Sequence, residues 1–274
     1  MTLPPAKKSL GQCFLVERSV ARQMAIALDL LQGETVLEIG PGRGMLTEEL
    51  LATGAQVLAV EIDNRLIEPL RAKFGRLPNF SLRHEDVLDT PFSDVLPPGT
   101  AKLAGNLPYH LVAEVIYKLL VHARTARRDS SLPWISSALL MMQKEVADRI
   151  VANPGTKVWG KLSVFVQLEA RAQLIAVVPA AAFRPVPKVD GGIVRFDFNR
   201  FPEHVPADYQ MLERIVRYTF HQRRKMLKTS LSSLSGVHPF WRDAPLDFTR
   251  RPETLTPAEW VALADLITRA QSSA

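Results

Sequence analysis

The stretch Thr35-Val36-Leu37-Glu38-Ile39-Gly40-Pro41-Gly42-Arg43-Gly44 decides the fold class of this chain. Its first five residues are mostly β-branched or aliphatic, which is typical of a buried strand, and the glycines and the proline that follow end that strand. Residues 45–53 then show a helical pattern that ends at Gly54. The order of strand, glycine loop and helix predicts an α/β fold with a parallel sheet.

The glycine loop and a later acidic residue together predict a nucleoside site. Glycine lets the backbone approach a ligand closely, and the N-terminus of the next helix adds N–H donors. Residues 56–62 predict a second strand, in which Glu61 follows Gly40 by 21 residues, the spacing of acids that bind ribose hydroxyls. The glycines run G-x-G-x-G, which favours a ligand without a pyrophosphate. A tight turn and a surface glutamate would show the same residues, but the spacing of the acid favours the binding site.

Two further strands are predicted to end at the same edge of the sheet. Residues 80–84 precede Asp86, whose carboxylate suits an adenine amino group and suits a helix cap equally well. Residues 101–107 form an apolar run that leads into Pro108 and Tyr109. Open α/β sheets bind ligands at the carboxyl ends of their strands, so these polar strand ends are expected to surround one ligand.

The segment after the fourth strand has the groups needed to hold a flat heterocycle with an exocyclic amine. Pro108 fixes its own φ and biases Leu107 toward an extended backbone, which leaves the Leu107 carbonyl outside any helix. Asn106 adds an amide, and Tyr109 adds an aromatic face. A strand end before an ordinary helix fits these four residues as well; the agreement among the strand ends favours the binding site.

Composition narrows the class of protein. The 274 residues are 47% hydrophobic and 23% charged, which suits a globular protein with one large and one smaller domain. The single cysteine, Cys13, excludes an internal disulfide and a multi-cysteine metal site. The net charge of +6 favours a polyanionic partner. No apolar run reaches membrane-spanning length and no apolar signal core is found, so we expect a cytoplasmic protein. We also take it to be metal-free and monomeric.

The last quarter of the chain is predicted to be helical and basic. We place the domain boundary between residues 202 and 203, which gives domains 1–202 and 203–274. Residues 214–228 contain six Lys or Arg and no Asp or Glu. A charge run is commonly a solvated face, but a stripe without acids favours phosphate binding. If one helix continues to Lys228, one of its faces carries a cationic stripe of Arg217, His221, Arg224 and Lys228.

The chain resembles the class I S-adenosylmethionine-dependent methyltransferases, and more narrowly the ribosomal RNA adenine N6-dimethyltransferases. The matching stretches are Glu38 to Gly44, Glu61, Asp86, Asn106 to Tyr109, Gly11 to Leu15, Gln143 to Ala147, Phe183 to Asp190 and Gln222 to Lys225. The resemblance spans roughly residues 7 to 270, and its last two stretches favour the small-subunit enzymes over the large-subunit, macrolide-resistance branch. The family usually carries Asn or His at the position of Cys13.

The resemblance implies a role for each cofactor residue. Cys13 and Leu15 would line S-adenosylmethionine through the N-terminal segment, and Gly40 would approach its methionine part. Glu61 would hold the ribose hydroxyls, and Asp86 the adenine amine.

For the target base, the resemblance implies that Asn106 lies between cofactor and adenine, with Leu107 and Pro108 completing the catalytic segment. Tyr109, with Phe183 opposite, would stack the base. The basic residues Arg223, Arg224 and Lys225 would bind RNA.

We therefore expect a mostly parallel, seven-stranded methyltransferase domain with a small helical RNA-binding domain. The expected reaction dimethylates two adjacent adenines in a hairpin near the 3′ end of small-subunit ribosomal RNA, within a pre-ribosomal subunit, as a step of ribosome biogenesis. Two alternatives stay open at this point. One is methylation of large-subunit RNA or of DNA adenine. The other is a nucleic-acid-binding assembly or transcription factor with a secondary methyltransferase site.

Overall fold

The computed structural model describes residues 4–7, 10–199, 204–234 and 246–272. The chain divides into two compact units, which we call the first and the second unit. The first unit takes residues 1–148 and 170–200, and the second takes residues 149–169 and 201–274. The boundary that we placed between residues 202 and 203 lies outside the described residues.

A seven-stranded sheet forms the centre of the first unit. Its strands are β2 Thr35–Ile39, β3 Gln56–Glu61, β4 Phe80–His84, β5 Thr100–Asn106, β6 Trp134–Gln143, β7 Arg171–Val178 and β9 Gly191–Asp197. Their order is β4-β3-β2-β5-β6-β9-β7. β4, β3, β2, β5 and β6 pair in parallel, whereas β9 runs antiparallel to both β6 and β7. The predicted fold class, a mostly parallel seven-stranded sheet with helices, is confirmed.

A second, small sheet joins two distant parts of the first unit. Its strands are β1 Phe14–Leu15 and β8 Phe183–Arg184, which pair antiparallel, with Leu15 opposite Phe183. The N-terminal segment is thereby fixed against the stretch that precedes β9.

Helices lie before, between and after the parallel strands. They are α1 Arg18–Leu28, α2 Met45–Ala52, α3 Asn64–Phe74, α4 Phe92–Val95, α5 Val112–Ala126 and α6 Lys144–Ile150. Glu17 precedes α1 as its N-cap, and its carboxylate accepts from the Ser19 N–H. The helix ends at Leu28, and Leu31 beyond it is 66% exposed.

Register brings the carboxyl ends of the central strands together. Ile39 at the end of β2 lies opposite Val60 of β3 and Gly105 of β5. A Cβ on Gly105 would lie 2.9 Å from the Ile39 carbonyl oxygen, closer than real Cβ atoms approach. Glycine at this position therefore lets β5 pair closely with β2 just before Asn106.

The second unit is helical. Its helices are α7 Lys161–Glu169, α8 Tyr209–His221, α9 Leu227–Ser232 and α10 Pro257–Ser272. Their core consists of buried apolar side chains that include Trp159, Val164, Leu168, Leu212, Ile215, Leu227, Trp260 and Ile267. Residues 149–169 belong to this unit, although our sequence-based division placed them in the first domain, because Trp159, Val164 and Leu168 pack into that core. No helix in the described ranges is long and apolar enough to span a bilayer.

The basic stretch of the second unit does not form one helix. α8 ends at His221, and α9 begins at Leu227 after an extended Met226 with φ −66° and ψ 154°. Leu227 is fully buried, and its N–H donates to the Arg250 carbonyl at 2.9 Å. A single cationic stripe depended on one helix continuing to Lys228, and that condition is not met, because the chain turns between α8 and α9 and buries Leu227.

Candidate functional site

The ends of the central strands surround a cavity of about 270 Å³ in the first unit. Ten residues that the sequence assigned to cofactor or catalysis lie on its lining: Cys13, Leu15, Gly40, Glu61, Asp86, Asn106, Leu107, Pro108, Tyr109 and Phe183. Arg223, Arg224 and Lys225, which were assigned to RNA, belong to the second unit. The fold thus brings the ten residues together, and their individual roles stay predictions.

The loop after β2 lines the cavity with glycine backbone that carries no side chains. Gly40 and Gly42 have φ values of 65° and 58°, in the left-handed region that favours glycine. A Cβ on Gly40 would meet nothing within 4 Å, whereas one on Gly42 would lie 3.2 Å from the Phe14 ring. The Gly42 N–H donates to Glu61 Oε2 at 3.1 Å. The loop is therefore held open next to an acidic group.

Glu61 is a buried carboxylate that is supported by backbone donors. It is 4% exposed, and its Oε1 accepts from the Asp63 N–H at 2.8 Å. Burial raises the pKa of Glu61, and the N–H groups of Asp63 and Gly42 oppose that shift by stabilising the charged form. Each carboxylate oxygen keeps acceptor capacity for hydroxyl groups of a ligand.

Glu38 is a second buried carboxyl on the lining, to which the sequence analysis gave no role. Its Oε2 accepts from Thr47 Oγ1 at 2.7 Å. Burial raises the pKa of Glu38 to about 8, and the nearby charge of Glu61 adds to that shift. An ionisable residue inside an otherwise apolar strand was the available signal, because such a group is rarely buried without a function or a partner.

Asp86 fits both interpretations that the sequence left open. Its Oδ1 accepts from the Leu88 N–H at 2.8 Å, as a turn cap does, and the residue also lines the cavity. Beside it, Glu85 Oε2 is buried and has no hydrogen-bond partner among the described residues. This side of the cavity thus carries acceptor oxygens that a ligand with N–H or O–H groups would satisfy.

Asn106 is tied to the N-terminal segment. Its Nδ2 donates to the Cys13 carbonyl at 3.3 Å, which leaves its Oδ1 as the acceptor of the amide. The Leu107 N–H donates to the Met141 carbonyl at 3.1 Å and anchors the segment to β6. Tyr109 is half-buried, and burial raises its pKa, so its phenol is neutral at physiological pH.

The N-terminal segment is fastened by polar contacts that the sequence analysis missed. Gln12 Nε2 donates to Asp63 Oδ2 at 2.8 Å, and the Arg43 guanidinium lies 4.5 Å from the centroid of the Phe14 ring. Arg65 Nη2 lies 2.6 Å from Asp63 Oδ2 and holds the pKa of Asp63 down to about 2. Asp63 follows Glu61 by two residues, and only the fold shows that it anchors Gln12.

A family model described as "Ribosomal RNA adenine dimethylase" matches residues 5–251. The chain belongs to this family. The ribosomal RNA small subunit methyltransferase A of Pseudomonas aeruginosa is 40% identical over 261 residues, which cover 95% of this chain and 94% of that protein. The protein of the same name from Acaryochloris marina is 36% identical over 270 residues, with coverages of 97% and 98%.

Two solved structures share the fold of this chain. The 23S rRNA methyltransferase ErmE superposes with a TM-score of 0.69 at 26% identity, over 93% of this chain and 99% of that one. A dimethyladenosine transferase from Plasmodium falciparum superposes with a TM-score of 0.71 at 24% identity, over 91% and 95%, and shows the shared fold. The resemblance seen in the sequence is confirmed: this adenine dimethylase is a class I methyltransferase, and membership of that class implies S-adenosylmethionine as its methyl donor.

Proposed function

We propose that this protein transfers methyl groups from S-adenosylmethionine to N6 of adenines in small-subunit ribosomal RNA, giving dimethyladenine. One observation carries the proposal: the segment Asn106 to Tyr109 lines the same cavity as the glycine loop, Glu61 and Asp86. The relatives named as small-subunit methyltransferases support this class of RNA.

The cavity residues fit the methyl donor. Gly40 presents open backbone, Glu61 presents buried acceptor oxygens for ribose hydroxyls, and Asp86 presents a carboxylate for the adenine amine. The buried Oε2 of Glu85 lacks a partner among the described residues, as expected where a polar ligand belongs. When bound, the cofactor supplies a methyl group that its sulfonium already activates.

The chain's contribution to transfer is to hold the target amine. The lone pair of an adenine exocyclic nitrogen is delocalised into the ring, so this nitrogen is a poor nucleophile. Hydrogen bonds from its two N–H groups to Asn106 Oδ1 and to the Leu107 carbonyl favour a tetrahedral nitrogen with a localised lone pair. Catalysis then depends on positioning and preorganised dipoles, and the target base leaves its stack to enter the cavity.

Exposure supports Tyr109 over Phe183 as the residue that stacks on that base. Tyr109 is half-buried, whereas Phe183 is 3% exposed and packs into the core of the first unit. We therefore assign the stacking face to Tyr109 and a supporting wall to Phe183.

Dimethylation follows from the acceptor arrangement. A singly methylated amine keeps one N–H and can bind again where the segment leaves room for a methyl group. Asn106 is short, Leu107 contributes its carbonyl, and Pro108 biases Leu107 toward an extended backbone. The resemblance to the small-subunit enzymes supports a pair of adjacent adenines as the target.

The three basic residues proposed for RNA binding differ in their contacts. Arg223 Nη2 donates to the Lys157 carbonyl at 2.7 Å, and its Nε lies 3.7 Å from Glu253 Oε2, so Arg223 braces a loop of the second unit. Arg224 and Lys225 are exposed. We assign phosphate contact to Arg224 and Lys225, and a supporting role to Arg223.

The structural similarity to a 23S rRNA methyltransferase makes large-subunit RNA the second candidate substrate. The test is to treat small-subunit assembly intermediates, large-subunit RNA and adenine-containing DNA with cofactor and to analyse the nucleosides by mass spectrometry. We expect N6,N6-dimethyladenosine in small-subunit RNA. Monomethyladenosine alone at full reaction would contradict dimethylation, and product confined to large-subunit RNA or DNA would overturn the substrate. RNA binding without any transfer would point to an assembly or transcription factor.

A further inference from the structure

Lys118 on α5 binds the turn that follows β4. Its Nζ donates to three backbone carbonyls: Val87 at 2.6 Å, Leu88 at 2.9 Å and Thr90 at 2.6 Å. An ammonium has three N–H donors, so this turn uses all of them. Hydrogen bonds to a charged donor are stronger than neutral ones, and here all three go to carbonyls within four consecutive residues, Val87 to Thr90.

The turn that Lys118 holds is built on Asp86. The Asp86 carbonyl accepts from the N–H groups of Asp89 at 3.1 Å and Thr90 at 3.0 Å, and its Oδ1 accepts from the Leu88 N–H. Asp86 and Val87 line the cavity, whereas Lys118 lies outside the lining. The turn therefore presents Asp86 to the cavity and its later carbonyls to Lys118.

The surroundings of Lys118 leave it few other positions. Lys118 is half-buried, and its Nζ lies 5.3 Å from the centroid of the buried Phe92 ring. Burial lowers the pKa of Lys118, and the charges of Asp86 and Asp89 oppose that shift. A half-buried ammonium with all donors engaged holds its partners more firmly than a solvated one does.

We propose that Lys118 is a positioning residue for recognition of the cofactor's adenine amino group. By holding three carbonyls of the turn, Lys118 fixes the carboxylate of Asp86, whose second oxygen is available to accept from that amine. This inference rests on the proposed function, in which Asp86 binds the adenine of S-adenosylmethionine. Selectivity for an amine over a keto group at that ring position then depends on a side chain that does not touch the cofactor.

The test compares two ligands by calorimetry. S-adenosylhomocysteine carries the amine, and S-inosylhomocysteine carries a carbonyl oxygen in its place. We expect the wild-type protein to prefer the adenosine compound by about tenfold or more, since a hydrogen bond to a charged group carries that preference. Lys118→Met keeps the aliphatic stem and loses the ammonium, and should reduce the preference by about fivefold or more. Asp86→Ala should abolish it.

A double-mutant cycle separates positioning from a general loss of stability. If Lys118 acts through Asp86, adding Lys118→Met to Asp86→Ala changes the preference no further. The matched control is Lys102→Met, because Lys102 Nζ likewise donates to a backbone carbonyl, that of Asp29, and it also binds Glu34 Oε2 at 2.8 Å, away from the cavity lining. The Lys102→Met variant should show the same preference between the two ligands as the wild type. Lys118→Gln keeps a neutral donor for some of the carbonyls and should give an intermediate preference. It replaces Lys118→Met in the comparison if that variant does not fold.

The outcomes distinguish this inference from the proposed function. A full preference in folded Lys118→Met or Lys118→Gln, with the preference lost in Asp86→Ala, overturns the role of Lys118 alone. Equal losses in Lys102→Met and Lys118→Met also overturn it, since the effect would then be general. A wild-type protein that binds both ligands equally or binds neither overturns the assignment of Asp86 and the inference with it.

Discussion

At the scale of the residue, the cavity is defined by polar groups whose environment is unusual for their type. Glu38 and Glu61 are both buried carboxyls, and they differ in support: Glu61 accepts from two backbone N–H groups, whereas Glu38 accepts from one hydroxyl. This difference favours the charged form at Glu61 and the neutral form at Glu38.

Glu61→Ala should weaken cofactor binding by about tenfold or more, because it removes a charged acceptor for the ribose hydroxyls. Calorimetry with S-adenosylmethionine measures the effect. The control is Glu68→Ala on α3, whose side chain is 74% exposed and pairs with Arg71. Equal affinities of wild type and a folded Glu61→Ala variant would refute the assignment of Glu61.

Glu38→Gln should change how stability depends on pH. The folded protein retains the Glu38 proton up to a pKa of about 8, whereas the unfolded chain loses it near 4.5. Between these values the folded state binds more protons, so the free energy of unfolding falls as pH rises. The variant has no proton to lose, and its stability relative to wild type should increase between pH 5 and pH 8 by an amount on the order of a few kcal/mol. Urea unfolding of ligand-free protein measures it, and parallel pH profiles would contradict it.

Asn106→Ala should lower turnover by about 10²–10³ while cofactor affinity changes little, the range for loss of one preorganised polar contact. Single-turnover methyl transfer at saturating cofactor measures the rate. Asn79→Ala is a matched control, because Asn79 Nδ2 also donates to a backbone carbonyl, that of Ala55, and lies outside the cavity lining. Comparable losses in both variants would show that the Asn106 effect is not specific.

At the scale of the element, most strands and helices could be predicted from local patterns, and the exceptions have long-range causes. The strand ends at Ile39 and Glu61 follow from apolar, partly β-branched runs and from the glycine or polar residues that end them. The break between α8 and α9 depends on burial of Leu227 in a core formed by distant residues, which no local pattern contains. In the sequence Arg223 is likewise equivalent to Arg224 and Lys225, and only the fold shows its contacts with Lys157 and Glu253.

The turn between α8 and α9 carries a prediction for RNA binding. Replacing Arg224 and Lys225 with Ala should weaken binding to small-subunit RNA and reduce the slope of log K against log salt by up to about 0.9 per lost phosphate contact in duplex regions. Cofactor affinity should stay constant, because both residues belong to the second unit. The double variant Arg22→Ala and Arg76→Ala removes two exposed charges from the first unit and is the control for net charge. Equal slopes in the two double variants would move the RNA surface elsewhere.

At the scale of the whole molecule, the ligand cavity lies entirely within the first unit. Local sequence patterns predicted that the polar strand ends meet there, because parallel strands bring their carboxyl ends to one edge, whereas the residues of the N-terminal segment and Phe183 were implied only by the family resemblance. Neither source predicted the raised pKa of Glu38 or the carbonyls that Lys118 binds, because both depend on contacts between elements. Residue roles such as stacking by Tyr109 stay predictions.

Ligand binding should stabilise the unit that holds the cavity. S-adenosylhomocysteine at 100 times its dissociation constant should add about 2.7 kcal/mol to the free energy of unfolding of that unit. Urea titration with and without ligand measures the increment. Glu61→Ala, tested at the same ligand concentration, should show a smaller one, and equal increments would contradict the placement of the ribose site.

The chain leaves the first unit after residue 148 and returns to it at residue 170. A fragment of residues 1–200 therefore contains every strand of the sheet and also residues 149–169, which belong to the second unit. Trp159 and Val164 in that segment would lose the α8 and α10 side chains that bury them. Truncation alone would expose these apolar side chains and yield an aggregation-prone fragment. A catalytic domain that folds by itself would need residues 149–169 replaced by a short polar linker. During synthesis, Trp159 and Val164 stay without their full set of packing partners until α10 has left the ribosome.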